Sequence, residues 1–470
     1  MVKYGARLNK DDLRYLKNRL DELNQDILTY KNINLVEKCE LELIYSNQSK
    51  FLISSAFNKL KHIRMSLRSI ISKPKKGNQN KILFLLYTNS HINNSRSIIN
   101  ELGEKALVVK KDGFTNHVAK KLKRNNIEFN DIEGYDKSKK NISTAEKSLD
   151  KAYNELVKED KIEKPMLKYM FKSYFPEVIK YIELINNMLE FEKPKLLVVM
   201  NEITTLGNIA VSIAKEKKIQ TLCIQHGAIA NNPGSFVPVS VDKVAVWGEY
   251  SKKVMMEHNT PEEKIVITGA PQFDILKDYN KGITPKIAKE IGLDITKKYV
   301  LITTQNYPFM EDVLRSVCNT VKLIPELQLV IKTHPSEYFA DKYVKIAQKS
   351  GIKSIVTSKY LYPLLKSCSA MITVSSTTGM EALMMKKPVI TVNYTGSEDP
   401  MPYAENGAAI GVYKEEELLP AIKAVINNDD NNDKINEIIK KSKNFLYDRC
   451  HVIDGNASQR IVELIHKISN

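Results

Sequence analysis

The stretch Ala370-Met-Ile-Thr-Val-Ser-Ser-Thr-Thr-Gly-Met-Glu-Ala-Leu-Met-Met-Lys-Lys-Pro-Val-Ile-Thr391 decides how the rest of the chain is read. Its apolar run at 370–374 predicts a buried strand, residues 378–385 a helix, and 388–392 a second strand. Between the first strand and the helix, Ser375, Ser376, Thr377, Thr378 and Gly379 bring hydroxyls, free backbone N–H groups and the positive end of a helix dipole to one point. That is the chemistry of an anion site. The GxxxxGK[ST] spacing and its Lys are missing, so the turn is not a Walker loop. Thr378 and Glu381 also stand at the S/T-x-x-E spacing of a capping box, which needs no ligand. The stretch alone leaves both readings open.

Working outward, the same strand–helix unit recurs. Downstream of residue 298, strands are predicted at 299–303, 327–332 and 354–356, with helices at 338–350, 360–367 and from about 415 and 433. Upstream, strands are predicted at 81–87, 106–109, 196–200, 221–224, 243–246 and 265–268, with helices at 95–102, 116–123, 167–191, 205–217 and 251–257. Short apolar strands separated by helices predict parallel sheets covered on both faces. At 470 residues the chain exceeds one ordinary core. The expected division is a helical appendage and linker at 1–80, an acceptor domain at 81–274 and a connection at 275–298. A nucleotide-donor domain at 299–456 and a closing helix at 457–470 that crosses back complete it. Residues 130–165, polar and Lys-rich, are expected to form an irregular insertion. Two doubly wound domains bind ligand where the carboxyl ends of their strands face a cleft.

Composition narrows the function classes. Apolar residues make up 43% and charged residues 27%, as in soluble globular proteins. No run approaches the roughly 18 apolar residues of a spanning helix. The first residues carry no apolar signal region, so a cytoplasmic location is expected. Five cysteines are scattered singly, which argues against structural zinc and a disulfide framework. The net charge is +16, and residues 1–80 hold half of it, with 16 Lys/Arg against 8 Asp/Glu. Without a dense basic run interleaved with aromatics, this charge argues against nucleic acid. It suits an anionic membrane surface or a phosphate-bearing substrate. The appendage can pack on the body, mediate a homodimer or touch a membrane.

Three further signals fall at predicted strand ends. Asn201-Glu202 follows the strand at 196–200. A carboxylate there can serve as a general base, or simply favour a helix start through the dipole. Gln225-His226-Gly227 follows the next strand, with an imidazole that can move a proton or sit as a satisfied structural residue. Thr333-His334-Pro335 closes the strand at 327–332. Pro335 keeps His334 extended, so its imidazole points from the strand tip, toward a diphosphate or a local carbonyl. There is no HExxH and no Cys pair, so no metal site is expected. The run Asp429-Asp-Asn-Asn-Asp433 reads as a solvated turn.

In this order the motifs resemble GT-B fold glycosyltransferases of bacterial and archaeal surface-polymer synthesis, from about residue 194 to 468. Asn201 to Gly207, Thr221 to Gly227, Val246 to Ser251, Val266 to Asp274 and Asp454 to Ile461 are similar to the capsule-polysaccharide transferase group. Lys332-Thr-His-Pro335 and Ser375-Ser-Thr377 are similar to the HP and Ser/Thr motifs of polysialyltransferases, Kdo transferases and CDP-glycerol glycerophosphotransferases. The resemblance implies two Rossmann-like domains and a metal-independent, inverting transfer from a cytidine or uridine nucleotide-sugar donor to a glycan or lipid-linked acceptor. No separate cofactor is implied. His334, Pro335, Ser375, Ser376, Thr377, Thr378 and Gly379 would hold the donor phosphates, and Glu381 the ribose. Glu202 or His226 would take the acceptor proton, with His334 stabilising the leaving group. Glycerol phosphate transfer from CDP-glycerol, a non-hydrolysing UDP-sugar 2-epimerase and a non-catalytic sugar-nucleotide-binding protein are the alternatives.

Overall fold

The computed structural model describes residues 29–31, 33–35, 79–112, 116–137, 139–159, 168, 170–229, 236, 239–334, 341–399, 401–426 and 433–469. Most of the expected helical appendage therefore lies outside the described residues, as do Pro335 and the acidic run up to residue 432. From the appendage, a two-stranded antiparallel ladder of Thr29–Tyr30 (β1) and Ile33–Asn34 (β2) reaches the body. Tyr30 donates a 2.6 Å hydrogen bond to the buried Glu183, and Lys31 pairs with the same carboxylate at 2.7 Å.

The first large sheet holds Ile82–Leu86 (β3), Ala106–Lys110 (β4), Asn130–Asp131 (β5), Leu196–Val199 (β6), Gln220–Ile224 (β7), Lys243–Val246 (β8) and Ile265–Ile267 (β9). All are parallel, in the order β5-β4-β3-β6-β7-β8-β9. The second sheet holds Tyr299–Thr303 (β10), Gln328–Lys332 (β11), Ser354–Thr357 (β12), Ala370–Thr373 (β13), Val389–Val392 (β14) and Ile410–Val412 (β15). These are also parallel, in the order β12-β11-β10-β13-β14-β15. Helices cover both faces, so strands such as Ile82–Leu86 are buried on both sides and read as unbroken apolar runs. This is the GT-B build expected from the sequence. Strand order reverses between β3 and β6 in the first sheet and between β10 and β13 in the second. Such reversals open a crevice at the carboxyl ends of the strands.

The last helix, Ala457–Ser469, packs Ile461, Val462, Leu464 and Ile465 against Ile82, Phe84 and Leu86 of the first sheet. Burying side chains such as Ile461 and Ile465 stabilises this return by roughly 2 kcal/mol each. Asp274 caps its start by accepting from the backbone N–H of Ala457 and Ser458 at 3.0 and 2.8 Å. A second seam gathers Trp247, Ala270 and Phe273 with Tyr299, Met371 and Tyr403 from the C-terminal half.

Two expectations need correction. The described part of the segment at 130–165, residues 130–137 and 139–159, is not irregular. It contains β5 and the helix Lys139–Glu159, whose Leu149 and Ala152 enter the core. The helix expected at 95–102 starts at Asn89, where Thr88 accepts from the backbone N–H of His91. Its first turns were not legible because they bury His91, Asn94 and Ser95 rather than aliphatic residues.

Candidate functional site

At the reversal point of the second sheet, the ends of β10 and β13 present a hydroxyl and amide cluster. Thr303 donates to Thr373 through their hydroxyls at 3.2 Å. Gln305 accepts from the backbone N–H of Ser375 at 2.9 Å and donates to its hydroxyl at 3.3 Å. The Tyr307 hydroxyl meets the same Ser375 hydroxyl at 2.8 Å. Ser375 is buried beneath this cluster, whereas Ser376, Thr377 and Thr378 remain half-exposed. The helix Thr378–Met384 starts after an N-cap at Thr377 that makes no side-chain cap. Thr378 thus lies inside the first turn, and the capping box is not formed. Instead, Ser376 accepts from the Thr378 N–H at 3.2 Å and donates to its hydroxyl at 3.0 Å.

Gly379 is needed for packing. A Cβ there would lie 2.8 Å from the Tyr403 ring, whose hydroxyl donates to the Ser376 carbonyl at 2.7 Å. Tyr403 thereby clamps the turn from behind. Two residues on, Glu381 is buried and accepts from the Tyr362 hydroxyl at 3.0 Å. Burial pushes its carboxyl up to about 7, against the pull of Tyr362, Thr378 and Lys332. Lys332, at the end of β11, is itself pushed down by burial and donates to the Thr333 carbonyl at 3.0 Å. Beyond it His334 is exposed, with its backbone N–H bonded to the Thr304 hydroxyl at 3.1 Å. His334 and Ser375 therefore flank Gln305 on either side of β10.

The first sheet offers a different set of groups at its own reversal point. Tyr87, just past β3, donates to the Asn201 carbonyl at 2.9 Å and meets the Thr204 hydroxyl at 2.6 Å. His91 stacks edge-on against Tyr87 and His226, with ring centroids 4.3 and 5.3 Å away. Burial lowers both histidines, so both are neutral near pH 7. The Met200 carbonyl favours a protonated ring nitrogen on His226, while its buried Nδ1 has no partner among the described residues. The His226 carbonyl accepts from Ser90 at 2.8 Å and Asn94 at 3.2 Å. Gln225 locks the turn by accepting from the Trp247 N–H groups through its side chain at 2.8 Å and its carbonyl at 3.0 Å.

Glu202 is placed otherwise than the sequence suggested. It is 3% exposed, and its two oxygens accept from the backbone N–H of Ser240 and of Val241. Burial raises its carboxyl and those two hydrogen bonds lower it again. The turn that carries it presses so closely on the following helix that a Cβ at Gly207 would lie 1.9 Å from the Asn201 carbonyl oxygen. In this arrangement both Glu202 oxygens fasten the loop at 240–241.

The structure thus groups His334 with Ser375–Glu381 on one half and His226 with Glu202 on the other. Gln305, Tyr307 and Tyr362 on the first, and Tyr87, His91 and Asn94 on the second, were not singled out from sequence. The signal was available for Gln305 and Tyr87, since both directly follow the first strand of a parallel sheet.

Comparison with known proteins places this geometry. The profile of the UDP-N-acetylglucosamine 2-epimerase family matches residues 177–466. Processive diacylglycerol beta-glucosyltransferase of Bacillus thuringiensis (strain Al Hakam) is 26% identical over 196 residues, 40% of this chain and 50% of that protein. The chain thus spans about half the length of such curated relatives. Among solved structures, S. aureus MnaA with UDP is similar over 82% of this chain and 96% of its own, with a TM-score of 0.56 at 16% identity. A glycosyltransferase of Rickettsia africae ESF-5 is similar over 83% and 99%, with a TM-score of 0.52 at 13% identity. With the profile covering more than half its length, the chain belongs to the UDP-N-acetylglucosamine 2-epimerase family, within the GT-B-like glycosyltransferase superfamily.

Proposed function

We propose that the protein transfers a sugar from a UDP-linked donor to a glycan or lipid-linked acceptor. The observation that carries this reading is the turn Ser375–Thr378 at a strand-order reversal, with the buried Glu381 one helical turn away. The half-exposed hydroxyls of Ser376, Thr377 and Thr378 suit a diphosphate, and a buried carboxylate suits the two hydroxyls of a ribose. UDP in the S. aureus complex and the transferase relatives support a uridine nucleotide and a lipid acceptor. A larger thermal shift with CDP than with UDP would overturn the choice of uridine.

In this reading the acceptor oxygen attacks the anomeric carbon as the bond from that carbon to the diphosphate oxygen breaks. The proton passes to His226, whose partnerless Nδ1 and neutral state fit a base better than the occupied Glu202. His334 and the turn take the charge on the departing UDP. Replacing His334 by Ala is expected to cost roughly 10²-fold in turnover.

A second reading, epimerisation at C2 of a UDP-sugar, is favoured by the family profile. NMR of UDP-N-acetylglucosamine incubated with the protein separates them. A transferase leaves the configuration at C2 unchanged and releases UDP only when acceptor is present. A second UDP-sugar accumulating without acceptor would overturn the transfer reading. Attachment to an anionic membrane is carried only by the charge of residues 1–80, and a homodimer only by the helical appendage expected there. Among the described residues no helix is long and apolar enough to cross a membrane. Sedimentation with anionic vesicles tests attachment, and failure to sediment at any salt concentration counts against it.

A further inference from the structure

We infer that the stacked rings of Tyr307 and Phe309 form the platform on which the sugar of a UDP-linked donor lies, an inference that rests on the nucleotide reading of the Ser375 turn. The segment Tyr307-Pro-Phe-Met310 follows β10 at the reversal point of the second sheet. Pro308 has a fixed backbone angle and keeps Tyr307 out of the helical region. The Met310 N–H donates to the Tyr307 carbonyl at 3.1 Å, with Phe309 at φ −90° and ψ 3°. This is a type I turn, which favours proline at its second position and those angles at its third. The two rings lie nearly parallel, with centroids 5.2 Å apart and planes 6° from each other.

The Tyr307 hydroxyl meets the Ser375 hydroxyl at 2.8 Å, so a flat aromatic surface directly adjoins the proposed diphosphate turn. Both rings are half-exposed. Their side of the sheet selects the occupant. Tyr307 and Phe309 pack against the cluster that holds Val300, Ile302, Met310 and Val313. Tyr362, the partner of Glu381, packs with Met380 and Ala382 against the cluster that holds Tyr299 and Leu301. Alternate residues of β10 thus enter the two clusters, which lie on opposite faces of the sheet. A diphosphate on the turn, with its ribose at Glu381 on one side, carries its other substituent toward the rings on the opposite side. In a sugar nucleotide that substituent is a pyranose, whose C–H groups suit the negative face of an aromatic ring. The uracil lies beyond the ribose, away from the rings.

The test is calorimetric titration of the full chain and of its Phe309→Leu and Phe309→Tyr variants with UDP, UDP-N-acetylglucosamine and UDP-glucose. Leucine keeps an apolar side chain against the core without the ring, and tyrosine keeps the ring. In Phe309→Leu, the UDP-sugar that wild type binds more tightly should weaken roughly fivefold or more, with UDP within twofold of wild type. Phe309→Tyr should match wild type with every ligand. A UDP-sugar bound within twofold of wild type by Phe309→Leu overturns the platform and leaves the rings a packing role. Equal weakening of UDP and UDP-sugar also overturns it, because the rings then serve the nucleotide. Should Phe309→Leu not fold, nuclear Overhauser contacts in wild type between the rings of Tyr307 or Phe309 and the pyranose C–H protons decide. Their presence upholds the platform and their absence overturns it. Failure of wild type to bind UDP and both UDP-sugars overturns the nucleotide reading itself, and the platform with it.

Discussion

Glu202 and Glu381 both follow the strand beyond the order reversal of two parallel sheets of the same build. Glu202 stands in the turn before the helix Thr205–Glu216 and Glu381 within the helix Thr378–Met384, and each is almost wholly buried. Glu202 spends both oxygens on the Ser240 and Val241 backbone, so its negative charge holds a loop. Glu381 receives one tyrosine hydroxyl and has a buried lysine nearby, and burial keeps its carboxyl near 7. The same positional signal therefore produced an anchor on one half and a poised group on the other. What separates them is the number of donors the surrounding backbone supplies, and a reading of single residues does not contain that number.

The largest expected effect breaks the anchor. Glu202→Ala would leave the buried Val241 N–H and the partly buried Ser240 N–H without their acceptor and cost about 3 kcal/mol of stability, seen as a lower melting temperature. A variant as stable as wild type would remove the anchoring role.

Glu381 should behave in the opposite way. Its folded-state value lies above the usual 4.5, so between those values the folded chain holds a proton that the unfolded chain has released. Stability should then fall as pH rises from about 4.5 to about 7 and level off above it. Glu381→Gln should flatten that slope and raise stability at pH 8 by about 1–3 kcal/mol. Urea unfolding at pH 5 and pH 8 checks this, and an unchanged slope in the variant would contradict it.

The smallest effect concerns the cluster behind Ser375. Tyr307→Phe removes one hydrogen bond to its hydroxyl, and UDP should weaken only about threefold to tenfold by calorimetry. No change would place Tyr307 outside the binding machinery.

Much of the fold could be read in the sequence because its parallel strands are buried on both faces and appear as short apolar runs. Val389–Val392 and Leu196–Val199 are examples. The start of the helix Asn89–Leu102 was hidden because its inward face meets the His226 turn and is lined by Ser90, Asn94 and His91. In the candidate site, Ser375, His334 and Glu381 can be named from sequence because a hydroxyl run, a His-Pro pair and an acid at a helix start are local patterns. Gln305 and Tyr362 were not, because their parts depend on partners 70 and 19 residues away. The packing role of Gly379 has the same cause, since the ring that leaves no room for a Cβ there belongs to Tyr403.

The central claim is that the C-terminal half holds the nucleotide and that Glu381, unlike Glu202, touches it. Titrating UDP into wild type, Glu381→Gln and Glu202→Gln at pH 8 tests this directly. The account predicts a dissociation constant raised roughly tenfold or more in Glu381→Gln and within twofold of wild type in folded Glu202→Gln. Wild-type affinity in Glu381→Gln, or a loss confined to Glu202→Gln, would contradict it.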